Sequence, residues 1–104
     1  RTDVSWKGGI TPVMKTAHLA ESFGVHCELH TTVYHPLEIV NLHCCAAISN
    51  CQFFEMLYPT KYMDFGMRKP IDIDAAGFAR PPQEPGTGID WDPDFIENCT
   101  IKVM

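Results

Sequence analysis

The chain has 104 residues, 45% of them hydrophobic and 20% charged, the size and balance of one small globular domain rather than a disordered segment. Eight Lys and Arg against thirteen Asp and Glu leave a net charge of -5 with no basic run to meet a phosphate backbone, which argues against a nucleic-acid partner. No membrane span is expected, because residues 37–48 are broken by Glu38, Asn41 and His43 and fall short of the roughly 18 uninterrupted apolar residues a span needs.

Residues 1–5 (RTDVS) read as the end of a strand, since Asp3 arrives almost at once and a Gly8-Gly9 turn follows. The absence of an initial methionine and of a signal-peptide pattern gives the expectation that residues precede this strand. Thr11 is a candidate N-cap with Pro12 at the first helical position, and Val13, Met14, Ala17 and Ala20 recur at helical spacing before Gly24, which predicts a helix over 12–23. Residues 25–30 (VHCELH) form the next predicted strand, parallel to the first because only a helix joins them. Its His26, Glu28 and His30 share one face, and Val25, Cys27 and Leu29 the other. The polar face needs a site or a polar interior to justify it, because unpaired buried charge is costly.

Residues 31–35 are a predicted loop, and Pro36 opens a helix through about residue 48 with Leu37, Val40, Cys44 and Ala47 on one stripe. A third strand over 51–57 (CQFFEML) places Phe53, Glu55 and Leu57 on a common face. From Tyr58 onward, frequent prolines and glycines favour extended segments and hairpins: residues 71–73 with 77–80, a turn at 85–89 and a terminal strand over 100–103. Two regions result, 1–57 as β/α units and 58–104 as an irregular tail. Cys27, Cys44, Cys45, Cys51 and Cys99 are odd in number and form no C-x-x-C pair, so reduced, buried thiols in a cytoplasmic protein are expected.

Asp3, His30 and Glu55 close three successive strands, and neighbouring strands lie about 4.8 Å apart. An Asp3–His30 dyad is therefore expected, in which the carboxylate fixes the imidazole tautomer and leaves the other ring nitrogen as a base. Glu55 would bond a substrate oxygen or act as an acid. Trp6 and Lys7, just past Asp3, are candidates to line the pocket, although packing is the plainer role for Trp6. Tyr34 and His35 are loop candidates for substrate contact. Each catalytic candidate has a plainer reading as well: Asp3 as a turn or cap residue, His30 as a hydrogen-bonded strand histidine, Glu55 as half of a structural ion pair. The H-x-E-x-H spacing of His26, Glu28 and His30 mimics a zinc cluster, but no cysteine pair completes a tetrahedral set, so no metal ligand is assigned within the chain.

Asp3 followed by KGGIT (7–11), a helix ending FG (23–24), His30 at a strand end, FFE (53–55) and PGTGI (85–89) together resemble the mandelate racemase subgroup of the enolase superfamily, over nearly the whole chain. The resemblance implies an α/β fold, the last three β/α units of a (β/α)8 TIM-type barrel, with a tail returning toward a capping domain. It implies that Asp3 and His30 form the general-base dyad and that Glu55 supports an enolate or the substrate carboxylate. Removal of the proton next to a carboxylate, most plainly by an acid-sugar dehydratase, is the implied reaction, with His30 also able to return a proton to the departing hydroxyl. Racemisation or epimerisation of a 2-hydroxy acid is the alternative within that class. Mg2+ is the implied cofactor, its ligands and a second base lying on strands upstream of this chain. A sugar-acid substrate and a homo-oligomeric full-length form are expected, and the 104-residue chain by itself is expected to be inactive.

Overall fold

The computed structural model describes residues 1–31 and 34–101. Its helices follow in the order α1 (Ile10–Ser22), α2 (His35–Ala47), a 3-10 turn at Thr60–Tyr62 and α3 (Pro93–Cys99), with extended segments between them. Helix α1 starts two residues earlier than Thr11 predicts. Gly9, at φ 104, turns the chain into it, and the Val13 N–H reaches the Gly9 carbonyl at 3.4 Å. The end is where Gly24 places it: at φ +66, its N–H bonds the Glu21 carbonyl at 2.8 Å and the Val25 N–H bonds Ala20 at 2.9 Å, the paired closure that favours glycine.

The segments on either side of α1 run parallel, as expected of a helical crossover. Thr2 bridges to Leu29, and the His30 N–H donates to the Thr2 carbonyl at 2.8 Å. On the other flank the Cys27 N–H donates to the Asn50 carbonyl at 2.8 Å. Three regular strands do not form among the described residues, which corrects the expectation, because side chains take over where ladder bonds would run. Glu28 accepts from the backbone N–H groups of Gln52 (3.3 Å) and Phe53 (3.1 Å). Asn41, reaching up from α2, accepts the Val4 N–H at 3.1 Å. The polar face of the second segment is thus largely explained: Glu28 holds the neighbouring backbone.

Helix α2 begins at His35, one residue ahead of Pro36, and is packed on two sides. Val40, Cys44 and the following Ile48 join Val4, Val13, Ala17, Cys27 and Leu29 in one apolar cluster. Ile39 and Leu42 form a second cluster with Met67 and Ile71 of the tail. The predicted stripe therefore held at Val40 and Cys44 but not at Leu37 and Ala47, which are exposed. A helix covered on two sides carries no single stripe. Complete burial of Leu29 alone contributes about 1.5–3 kcal/mol of apolar transfer.

In the tail, the predicted hairpin is present as the Ile73–Ala79 antiparallel bridge, its turn held by the Asp74 carboxylate on the N–H groups of Ala76 and Phe78. A second antiparallel contact, Met67 with Trp91, leads into α3, which the sequence reading did not anticipate. Asp92 caps it by accepting the Phe95 N–H at 3.0 Å, with Pro93 in the first turn. The predicted terminal strand is not found at its start: the Thr100 N–H bonds the Glu97 carbonyl to close α3, Ile101 is fully exposed, and residues 102–103 lie outside the described residues. All five cysteines are unpaired, Cys27 and Cys44 buried and Cys99 exposed. Among the described residues no helix is long and apolar enough to cross a membrane.

Candidate active site

The parallel register of Thr2 with Leu29 brings Asp3 and His30 to adjacent positions at the ends of their segments, and Glu55 arrives beside them on the third. The hydrogen bonds then divide these residues differently from the expected dyad. His30 Nδ1 lies 2.6 Å from Glu55 Oε2, so Glu55 is the carboxylate on the imidazole. Asp3 is buried, and its Oδ1 accepts the Trp6 N–H at 2.7 Å. The reason is local: the chain turns directly after Asp3, the Lys7 N–H reaching the Asp3 carbonyl at 3.3 Å, and the Asp3 carboxylate caps that turn by accepting the Trp6 N–H.

Glu55 is the most heavily bonded group in the site. Its Oε2 also accepts the Thr31 N–H at 3.0 Å, its main-chain carbonyl accepts the Thr31 hydroxyl at 2.6 Å, and its Oε1 takes Arg1 Nη1 at 3.1 Å. The Thr31 N–H, ahead of every other influence, holds the Glu55 carboxyl below the ordinary carboxylate value; partial burial opposes this, and His30 and Arg1 reinforce it. Ionised Glu55 accepts, so His30 Nδ1 carries the proton and donates. Arg1 Nη1, 3.4 Å from the same nitrogen, is then a neighbour of the ring and no donor to it. Among the described residues Nε2 has no hydrogen-bond partner, on a side chain 42% exposed. This arrangement can take a proton at Nε2 while the carboxylate stabilises the resulting imidazolium.

Of the candidates for substrate contact, Trp6, Lys7 and Tyr34 are exposed. Trp6 is 75% exposed, with its N–H held by Asp3. Tyr34 instead meets Phe65, ring centroids 6.0 Å apart, and Phe65 meets Phe95 at 5.1 Å. His35 is not a loop residue. It opens α2, is fully buried, and its Nδ1 pairs with Asp64. Sequence reasoning missed Arg1, Thr31 and Asn41. Arg1 was findable, because residues 1 and 3 share a face of an extended segment. Asn41 was visible as a polar residue interrupting an apolar run, and Thr31 carried no signal beyond its place after His30.

The donor set does not suit a divalent cation. Both Glu55 oxygens are occupied by N–H donors, with a guanidinium against one of them, and among the described residues no three of His, Cys, Asp or Glu lie together as a metal would need.

No curated protein matches the chain. Solved structures do. A candidate mandelate racemase/muconate lactonizing enzyme from a Pseudovibrio species superposes with a TM-score of 0.85 at 28% identity, covering 91% of this chain and 25% of that one. An enolase superfamily member from a Polaromonas species gives 0.76 at 26% identity, over 88% of this chain and 24% of that one. D-glucarate dehydratase from Agrobacterium tumefaciens, complexed with magnesium, gives 0.70 at 39% identity, over 88% and 24%. The chain thus spans about a quarter of the length of each. Residues 1–95 match the family described as Enolase C-terminal domain-like, and the chain belongs to that family.

Proposed function

We propose that this chain is the C-terminal part of a (β/α)8-barrel enzyme, residues 1–57 supplying its last three β/α units and 58–104 its returning tail, and that the whole enzyme removes the proton next to the carboxylate of a sugar acid and expels water. The observation that carries this reading is the His30–Glu55 contact at 2.6 Å, which orients a half-exposed imidazole whose Nε2 bonds none of the described residues. Nε2 of His30 takes the α-proton, Glu55 holds Nδ1–H and balances the imidazolium, and the same ring returns a proton to the departing hydroxyl. Asp3 holds the turn carrying Trp6 and Lys7, and these two exposed side chains with exposed Tyr34 are assigned to substrate contact. His35 has no such role, being buried.

Identity of 39% to a D-glucarate dehydratase supports dehydration of an acid sugar, and the candidate mandelate racemase neighbour keeps racemisation of a 2-hydroxy acid as the second reading. Mg2+ accompanies the dehydratase neighbour, and among the described residues no three of His, Cys, Asp or Glu lie together to hold it. The exposed aromatic side chains Trp6, Phe23, Phe53 and Tyr58 support the view that further chain covers these segments in the working enzyme. The test is an assay of the full-length enzyme against a panel of sugar acids. A 2-keto acid product supports dehydration, epimerised substrate supports the second reading, and no turnover or exchange with any acid overturns both.

A further inference from the structure

We propose that Thr31 is the positioning residue of the His30–Glu55 pair; what the pair does rests on the reading above, but its placement does not. Thr31 is fully buried and touches Glu55 twice, through its hydroxyl to the Glu55 carbonyl at 2.6 Å and through its N–H to Oε2 at 3.0 Å. In a continuous parallel ladder the carbonyl of residue 55 would be held by a backbone N–H of the neighbouring strand. Among the described residues no bridge joins residues 27–31 to 51–57, and the Thr31 hydroxyl stands in for one.

The consequence is a closed loop of contacts. One residue anchors the main chain of Glu55 at one end and its carboxylate at the other, and the oxygen it anchors is the one that receives His30 Nδ1. A glutamate side chain has three torsions to wander through; fixing both ends removes most of that freedom, and the imidazole inherits the order. The His30 ring is therefore held by its own neighbour in sequence, acting across to the next segment and back.

The substitutions separate cleanly. Thr31→Val removes only the hydroxyl and keeps the branched shape, Thr31→Ala removes it without bulk, and Thr31→Ser restores it. In protein carrying 15N-labelled histidine, the His30 signals are identified by their loss in His30→Gln. The expected result is a single Nδ1–H tautomer with a strongly downfield proton in wild type, movement toward a tautomer mixture in Thr31→Val and Thr31→Ala, and recovery in Thr31→Ser. Turnover of the full-length enzyme falls at least about tenfold in kcat with KM little changed, and recovers with serine. Wild-type His30 signals in both hydroxyl-less variants, or no recovery with serine, would overturn the proposal. If Thr31→Val does not fold, Thr31→Ala carries the test. Spectra that respond as stated in a protein that turns over no acid support the placement and count against the function proposed above.

Discussion

Replacing Asn41 by Leu removes the acceptor that reaches the Val4 N–H from α2 and puts an apolar group of similar size in its place. Asn41 is fully buried and Val4 is 6% exposed, so water cannot substitute. Its second contact, Nδ2 to the His30 carbonyl, is 3.5 Å long and contributes little. The expected loss is therefore that of one buried, unsatisfied N–H, about 1–3 kcal/mol, and for a domain of this length each kcal/mol lowers Tm by about 4–8 °C. Asn50→Ala is the comparison. Asn50 donates to the carbonyls of Ala17 and Val25 at 3.0 Å each near the opposite, more exposed end of the segment, and its removal should destabilise by about 0.5–1.5 kcal/mol. Urea denaturation with the slope held in common gives both values, and amide exchange at Val4 reports the site directly. An Asn41→Leu protein within about 0.5 kcal/mol of wild type, with Val4 exchange unchanged, would refute the reasoning.

Two further outcomes follow from the structure. Glu55 has a carboxyl held below its ordinary value in the fold, so its contribution is complete above about pH 4.5 and is lost as pH falls through the lower folded value. The stability gap between wild type and Glu55→Gln should accordingly be about 0.2–1 kcal/mol near neutrality, discounted because the pair is more than a third exposed, and should close on acidification. A gap that widens toward low pH would contradict this. Gly88 has φ +69, and a Cβ there would lie 2.4 Å from Cβ of the rigid Pro82, whereas Gly86 at φ +75 has open space. Gly88→Ala should therefore destabilise by about 2–4 kcal/mol and Gly86→Ala by about 1 kcal/mol, as read from denaturation midpoints; equal effects would contradict the close approach.

The chain's order of elements was legible because each junction carries its own local chemistry. Gly24 closes α1, Pro36 lies in the first turn of α2, and Asp74 turns the hairpin. Helix α3 was missed, although Asp92-Pro93 is a cap followed by a first-turn proline, because the density of prolines nearby masked it. Of the candidate site, the convergence of Asp3, His30 and Glu55 was legible, but Arg1, Thr31, Asn41 and the pairing were missed. Alternation places Asp3, His30 and Glu55 together, yet it says nothing about which carboxylate the imidazole meets. That choice is decided by the Trp6 N–H, which occupies Asp3, and by Thr31, which presents Glu55. Both N–H groups are backbone donors set by turn and register, and only the Thr31 hydroxyl on the Glu55 carbonyl depends on residue identity.

The proton chemistry proposed for His30 is tested most directly by α-proton exchange in the full-length enzyme. His30→Asn protein is incubated with an accepted sugar acid in D2O, and the α-hydrogen is followed by 1H NMR against wild type. Loss of exchange at the α-carbon of one epimer, with the fold intact, is the predicted result; exchange retained at that carbon would contradict the assignment of His30 as the base.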